Sequence, residues 1–203
     1  SITVHSFSST AGAAAPLTRA RVSGSLPVWS LSLGCPKNRV DTEHLLGSLG
    51  MPVHSVEHMG RARLVFINPC GFIEPAVRES IRSILDAVER LGRCKRRPLL
   101  AVAGCMVGRY GVRDLAADLP EVDLWLPTNA LEDWPAMVRE ALGLPAAPAA
   151  PGRLLSTGPS YAWLKVGEGC RHRCAFCTIP SIRGPLRSVP AADLREEARG
   201  LLA

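Results

Sequence analysis

The sequence of 203 residues has few aromatic residues, only a modest net charge and no long apolar run. Aromatic residues make up 5% of the chain, and the formal net charge is +6. These values do not favour direct nucleic-acid binding, which typically needs a strongly basic surface with aromatic stacking platforms. Because no run reaches the roughly 18 apolar residues that span a bilayer, we expect no membrane segment.

A secretory signal is also lacking, because the first 27 residues have no basic stretch followed by an apolar one. These residues are rich in Ser, Ala, Thr and Gly, and we interpret residues 1–27 as a disordered arm. Seven cysteines are nevertheless present. Without an export signal they predict a cytoplasmic protein whose thiols ligate metals or react, not a disulfide framework.

The next part of the chain, residues 28–143, alternates β-prone apolar runs with helical patterns. Five such alternations predict an α/β fold with a doubly wound, mainly parallel five-stranded sheet. The pattern places strands at 28–33, 51–56, 64–67, 99–103 and 122–126, and helices at 40–49, 75–92, 109–119 and 129–142, with Asn129 as the cap of the last helix.

A Pro-, Ala- and Gly-rich stretch follows, and residues 144–159 are predicted to be a linker. The residues after it, 160–203, start a second unit. Residues 161–166 (Tyr-Ala-Trp-Leu-Lys-Val) predict a strand, and a helix is expected from Pro190 to Leu202.

Three thiols lie close together in this second unit, at Cys170, Cys174 and Cys177. Three thiolates on a four-iron cluster leave one iron free to bind another ligand, and an open position favours chemistry over a structural role. The alternative is a structural zinc site with His172 as the fourth ligand.

Three further thiols, Cys35, Cys70 and Cys105, each follow a predicted strand directly. Because the carboxyl ends of parallel strands lie at one edge of a sheet, these thiols are expected to converge into a second three-thiolate site. The alternative is three buried core cysteines. The seventh, Cys94, stands in a basic turn and is interpreted as a bystander.

Together these features resemble the radical S-adenosylmethionine methylthiotransferases, which carry a Cys-x3-Cys-x2-Cys loop after a strand and three cysteines on a preceding α/β domain. The strings at 32–38 (Ser-Leu-Gly-Cys-Pro-Lys-Asn), 68–74 (Asn-Pro-Cys-Gly-Phe-Ile-Glu), 162–170 and 179–184 look like the branch that modifies a ribosomal protein. Pro69 departs from the family, which usually has Thr there. Since the family continues through a full barrel and a small β-rich domain, the chain resembles an N-terminal fragment that holds the truncated start of a radical-SAM (β/α) barrel.

The resemblance implies two [4Fe-4S] clusters and S-adenosylmethionine as cofactors. Cys170, Cys174 and Cys177 would hold the cluster that cleaves S-adenosylmethionine into a radical, and Cys35, Cys70 and Cys105 the auxiliary cluster that delivers sulfur. The implied reaction inserts a methylthio group at the β-carbon of an aspartate in small-subunit ribosomal protein number twelve. The implied electron donor is a protein such as flavodoxin or ferredoxin. We expect the fragment alone to be inactive, and its residues after about 159 to be mobile or abnormally packed.

Two alternative functions remain at this stage. One is the related branch that methylthiolates adenosine in transfer RNA, and the other is an iron–sulfur or zinc module that binds a partner without catalysis.

Overall fold

The computed structural model describes residues 24–147, 152–158 and 160–202. The predicted arm therefore lies almost wholly outside the described residues. A parallel five-stranded sheet with strand order β2-β1-β3-β4-β5 forms the centre of the fold and confirms the predicted α/β class. The strands are β1 (Leu26–Ser32), β2 (Val53–Ser55), β3 (Leu64–Asn68), β4 (Leu99–Ala103) and β5 (Leu124–Pro127).

The sheet is doubly wound because its strands are apolar on both faces. All five residues of β3 are buried, as expected for a strand covered by helices on both sides. One face packs on α1 (Pro36–Gly47) and α5 (Trp134–Ala141), and the other on α2 (Glu74–Gly92), α3 (Gly104–Tyr110) and α4 (Val112–Asp118). On the first face, Trp134 is buried against Phe66, with ring centroids 6.2 Å apart.

Several helix bounds differ from the sequence prediction. Helix α1 starts at Pro36, because proline suits the first helical turn. The helix predicted over 109–119 is replaced by α3 and α4, which meet at Gly111, where φ is +81° and the helix cannot continue. Asn129 does not cap α5; it lies in a 3-10 turn, and Asp133 holds the cap position.

The strand predicted over 161–166 is wrong. Only β6 (Gly167–Glu168) forms, pairing antiparallel with β7 (Arg187–Ser188), and the last helices are α6 (Ile179–Arg183) and α7 (Ala191–Leu202). Within the described residues, 161–165 pair with no neighbouring strand, so their β-prone side chains stay exposed, as at Tyr161 and Trp163. A strand needs a partner for its backbone groups, and β-propensity alone does not provide one.

Across the described ranges, none of the helices combines the length and hydropathy that a membrane span requires.

Candidate functional site

The three cysteines of the α/β domain all lie at the carboxyl edge of the sheet. Cys35 is the exposed N-cap residue of α1, and the buried Cys70 follows β3. Cys105 is also buried, but it is part of the first turn of α3 and not, as predicted, of a turn between strand and helix. All three side chains are free thiols.

The backbone segments that carry these thiols are packed tightly. A Cβ atom on Gly34 would lie 2.7 Å from Cys70 Cβ and 2.8 Å from Cys70 Sγ. A Cβ on Gly71 would lie 2.7 Å from the carbonyl oxygen of Cys105. Glycine at both positions therefore lets the loop before α1, the loop after β3 and the start of α3 approach closely. The structure thus brings the three predicted cysteines to one place.

Electrostatics at Cys105 reflect this proximity. Burial raises the pKa of the Cys105 thiol, the guanidinium of Arg183 lowers it, and the thiolates of Cys35 and Cys70 raise it further. The net effect is a raised pKa. Cys35 and Cys70 thus lie close enough to act on the Cys105 thiol. The three cysteines form an all-sulfur donor set, which suits iron–sulfur ligation.

Among the described residues, no three His, Cys, Asp or Glu side chains are grouped closely enough to hold one metal ion. Ligand sulfurs on a single zinc ion stand roughly 4 Å apart, because each Zn–S bond is about 2.3 Å. A four-iron cube spreads its ligand sulfurs over several metal atoms and tolerates wider spacing.

The late cysteines lie in a loop between β6 and α6. Cys170 and Cys177 are partly buried, and Cys174 is exposed. The Cys177 N–H donates to the Cys174 carbonyl at 3.0 Å, and the Cys170 N–H donates to the Gly184 carbonyl at 3.2 Å. The start of the loop is therefore hydrogen-bonded to the residue that ends α6. His172 is exposed within it.

A buried charge network joins this loop to the α/β domain. Arg183 Nη1 lies 3.2 Å from Asp41 Oδ2 and 2.7 Å from Glu168 Oε2. Lys165 pairs with both carboxylates, directly with Asp41 and at 3.2 Å with Glu168. Lys37 adds a third cation, 3.4 Å from Glu168 Oε1. The network contains side chains of α1 and of the segment around the late cysteines.

The ionisation of Glu168 and Arg183 follows from this network. Burial alone would raise the pKa of Glu168, but Arg183, Lys165 and Lys37 together lower it to about 2. Burial would lower the pKa of Arg183, but Asp41, the Cys105 thiolate and Glu168 raise it above its ordinary value. Both groups are therefore charged in the folded protein.

Asn38 connects the network to the cysteine edge. Its Nδ2 donates to the carbonyls of Leu33 at 2.9 Å and Pro69 at 3.1 Å, so it links the loops that carry Cys35 and Cys70. Its Oδ1 accepts from Arg183 Nη2 at 2.6 Å. Arg183 Nε also donates to Cys105 Sγ at 3.1 Å.

Sequence reasoning assigned no role to Asp41, Asn38, Glu168, Lys165 or Arg183. Four of these residues lie inside, or at the end of, the strings that carry the family resemblance, at 32–38, 162–170 and 179–184. Their place in those strings, within a few residues of a candidate ligand, was the only signal that the sequence offered for these four, and it did not indicate how they pair.

A second ion pair anchors the segment after the predicted linker. Arg153 Nη2 lies 2.7 Å from Glu43 Oε2 on α1, and Arg153 Nη1 lies 2.7 Å from Glu197 Oε1 on α7. An open pocket of about 460 Å³ lies between α1 and the 163–169 segment. Its lining is mainly apolar and includes Trp163, Val166 and Leu186.

Substitution of Gly34 tests the close packing at the cysteine edge. In Gly34→Ala, the alanine must adopt a positive φ and its Cβ would collide with the Cys70 side chain. In Gly111→Ala, the alanine must also adopt a positive φ, but its Cβ would have no other atom within 4 Å. Backbone strain should cost each variant about 1–2 kcal/mol, and overpacking should cost Gly34→Ala about 1–3 kcal/mol more. Urea unfolding of both apo-proteins measures the difference; equal losses of stability would contradict it.

Comparison with known proteins gives consistent matches. Residues 28–127 match the sequence model of a family described as "Uncharacterized protein family UPF0004". The chain is similar to the ribosomal protein uS12 methylthiotransferase RimO of Nitratidesulfovibrio vulgaris, with 64% identity over 178 residues that make up 88% of this chain and 41% of the relative.

Two further relatives carry the same name. That of Oleidesulfovibrio alaskensis is 62% identical over 178 residues, covering 88% of this chain and 41% of the relative. That of Lawsonia intracellularis is 49% identical over 180 residues, covering 89% of this chain and 41% of the relative. The chain thus spans about two fifths of the length of the curated relatives it matches.

Proposed function

The chain belongs to the RimO-type methylthiotransferase family, and we propose that it takes part in adding a methylthio group to the β-carbon of an aspartate in ribosomal protein uS12. The observation that carries this proposal is the 64% identity, over 88% of the chain, to a protein named for that reaction. The grouping of Cys35, Cys70 and Cys105 at one sheet edge supports it, because sulfur transfer needs a soft metal site held by the protein.

Two [4Fe-4S] clusters are the proposed cofactors, together with S-adenosylmethionine. Cys170, Cys174 and Cys177 would hold one cluster, and Cys35, Cys70 and Cys105 the other. When bound, the first would supply the electron that cleaves S-adenosylmethionine and the second would carry the sulfur to be transferred. Each trio would leave one iron without a protein ligand, as both tasks require.

The chain's own residues would position the two sites. Asn38 fixes the loops that bear Cys35 and Cys70 through its hydrogen bonds to Leu33 and Pro69. The Arg183–Glu168 ion pair holds the strand that leads into Cys170. Burial of Cys70 and Cys105 keeps water away from most of their site. A reaction that joins two cofactors at one carbon atom depends on such fixed placement.

The same proposal includes two further expectations. An electron donor such as flavodoxin or ferredoxin would reduce the clusters, and the cytoplasm would keep the free thiols reduced. Direct binding to nucleic acid is not part of the proposal.

A chimera tests the function. The aligned segment of the Nitratidesulfovibrio vulgaris relative is replaced by this chain, and the protein is reconstituted anaerobically with iron, sulfide, S-adenosylmethionine and a reductant. We expect mass spectrometry to detect a methylthio group in place of one hydrogen on an aspartate of uS12, but no modification of transfer RNA in a parallel reaction. Modified adenosine with unmodified uS12 would favour the transfer-RNA branch. An inactive chimera beside an active parental enzyme would contradict the proposal.

A further inference from the structure

Arg183 is the one side chain in the described residues with hydrogen bonds both to a thiol of the sheet-edge site and to the segment that leads into the late cysteine loop. It lies at the end of α6, with 2% of its side chain exposed. Its Nε donates to Cys105 Sγ at 3.1 Å, and its Nη1 donates to Glu168 Oε2 at 2.7 Å. Glu168 is two residues from Cys170.

A role in charge balance alone does not account for this geometry. Lys165 already pairs with Asp41 and Glu168, so both carboxylates have a cation without Arg183. The guanidinium instead uses its fixed fork of donors on four acceptors: Cys105 Sγ, Asn38 Oδ1, Asp41 Oδ2 and Glu168 Oε2. An ammonium group has three donors on one atom and cannot reach four separated acceptors.

We propose that Arg183 is a positioning residue that hydrogen-bonds the Cys105 ligand of the auxiliary cluster and thereby raises the reduction potential of that cluster while tying its site to the late cysteine loop. The inference rests on the proposed function, because it requires Cys35, Cys70 and Cys105 to hold a cluster. Hydrogen bonds to ligand sulfur and nearby positive charge both stabilise the reduced, more negative cluster, so they raise its potential. The guanidinium is buried, and in such low-dielectric surroundings its electrostatic stabilisation of the reduced cluster is stronger than it would be in water.

The test isolates the auxiliary cluster by using Cys170→Ala/Cys174→Ala/Cys177→Ala as the parent chain. Arg183→Gln and Arg183→Lys are made in this parent, and iron, sulfide and the midpoint potential are measured after reconstitution. For Arg183→Gln we expect the equilibrium constant for reduction to fall about tenfold, which is a shift of about 59 mV for a one-electron couple. Arg183→Lys keeps the charge but not the fork, so its potential should also fall, by a smaller amount.

Lys165→Gln is the matched control. It removes a cation from the same two carboxylates without touching a cysteine, and its potential should stay close to that of the parent. An equal shift in Lys165→Gln and Arg183→Gln would overturn the proposal, because the effect would then be one of general charge. An unchanged potential in a loaded Arg183→Lys or Arg183→Gln protein would also overturn it.

A second measurement does not depend on cluster loading. In the apo-protein, Arg183→Lys should increase amide hydrogen exchange at 167–170, since the bond from Nη1 to Glu168 is weakened, and unchanged exchange there would refute the tying role. If the parent binds no iron–sulfur cluster at all, the auxiliary site of the proposed function fails, whatever Arg183 does. If the parent binds a cluster and the Arg183 variants have the same midpoint potential as the parent, only the proposed role of Arg183 fails.

Discussion

Replacing Cys35, Cys70 and Cys105 together by Ala should halve the iron and sulfide that the chain binds after anaerobic reconstitution, from about eight atoms of each to about four. The reason is that these three thiols converge at one sheet edge, while the late thiols form a separate loop. Each trio would therefore load independently. Colorimetric iron and sulfide assays, combined with Mössbauer spectra, measure the loss.

The reciprocal replacement, Cys170→Ala/Cys174→Ala/Cys177→Ala, should remove the other half of the bound iron and sulfide. Only in the first triple variant should S-adenosylmethionine still alter the electron paramagnetic resonance spectrum of the reduced cluster, because the late trio is its proposed binding site. Cys94→Ala is the control, since that thiol donates to the Arg90 carbonyl at 3.6 Å and belongs to neither trio, and it should leave the iron content unchanged. One zinc without sulfide, or eight irons in either triple variant, would contradict the two-site arrangement.

The two partial reactions should respond differently when Cys35, Cys70 and Cys105 are replaced by Ala in the chimera. Cleavage of S-adenosylmethionine to 5′-deoxyadenosine should continue, whereas methylthiolated uS12 should fall below detection. Chromatography of the nucleoside and mass spectrometry of the protein measure the two products. Loss of both products from a correctly folded variant would mean that the sheet-edge cysteines also serve the cleavage step.

Much of the sheet could be predicted from sequence because its signal is local. The run Leu64–Ile67 is apolar without alternation, which indicates a strand covered on both faces, and all four residues are buried. The position of each cysteine just after such a run then placed three thiols at one edge of the sheet. Topology supplied the long-range information, since parallel strands of one sheet end at the same side.

The late segment was predicted less well because its signal was misleading. Residues 161–166 have the composition of a strand, but strand formation depends on a partner, and composition does not specify one. The short pairing of Gly167 with Ser188 and of Glu168 with Arg187 forms instead. The start of α1 was also missed: the predicted helix began at residue 40, whereas the helix begins at Pro36, because proline suits the first helical turn.

The charge network was not predictable from periodicity. Asp41 and Arg183 are 142 positions apart and fully enclosed, and neither belongs to a pattern that indicates burial. Buried charges are held by specific partners, and only the folded chain identifies those partners. The candidate ligands could therefore be predicted from sequence, because their residue type indicates their chemistry, whereas the polar residues that surround them could not.

Asp41→Asn should detach the late cysteine segment from the α/β domain. The Asp41 carboxylate is fully enclosed and pairs with both Lys165 and Arg183. Removing one partner from a buried ion pair leaves charges uncompensated and typically costs about 3–5 kcal/mol. Asparagine keeps the size and part of the hydrogen bonding, so we expect about 3 kcal/mol. In the apo-protein this loss should speed amide exchange at 165–184 by about two orders of magnitude.

The effect should be confined to that segment, which separates it from global unfolding. Helix α7 is anchored independently through Glu197 and Arg153, so its exchange should change less than that of 165–184. Asp86→Asn is the matched control, because it breaks an exposed pair with Arg90 at 3.0 Å and should cost at most about 0.5 kcal/mol. Equal exchange rates in wild type and Asp41→Asn would mean that Glu168 and apolar packing hold the segment without Asp41. Faster exchange throughout the sheet would instead assign Asp41 to the stability of the whole domain.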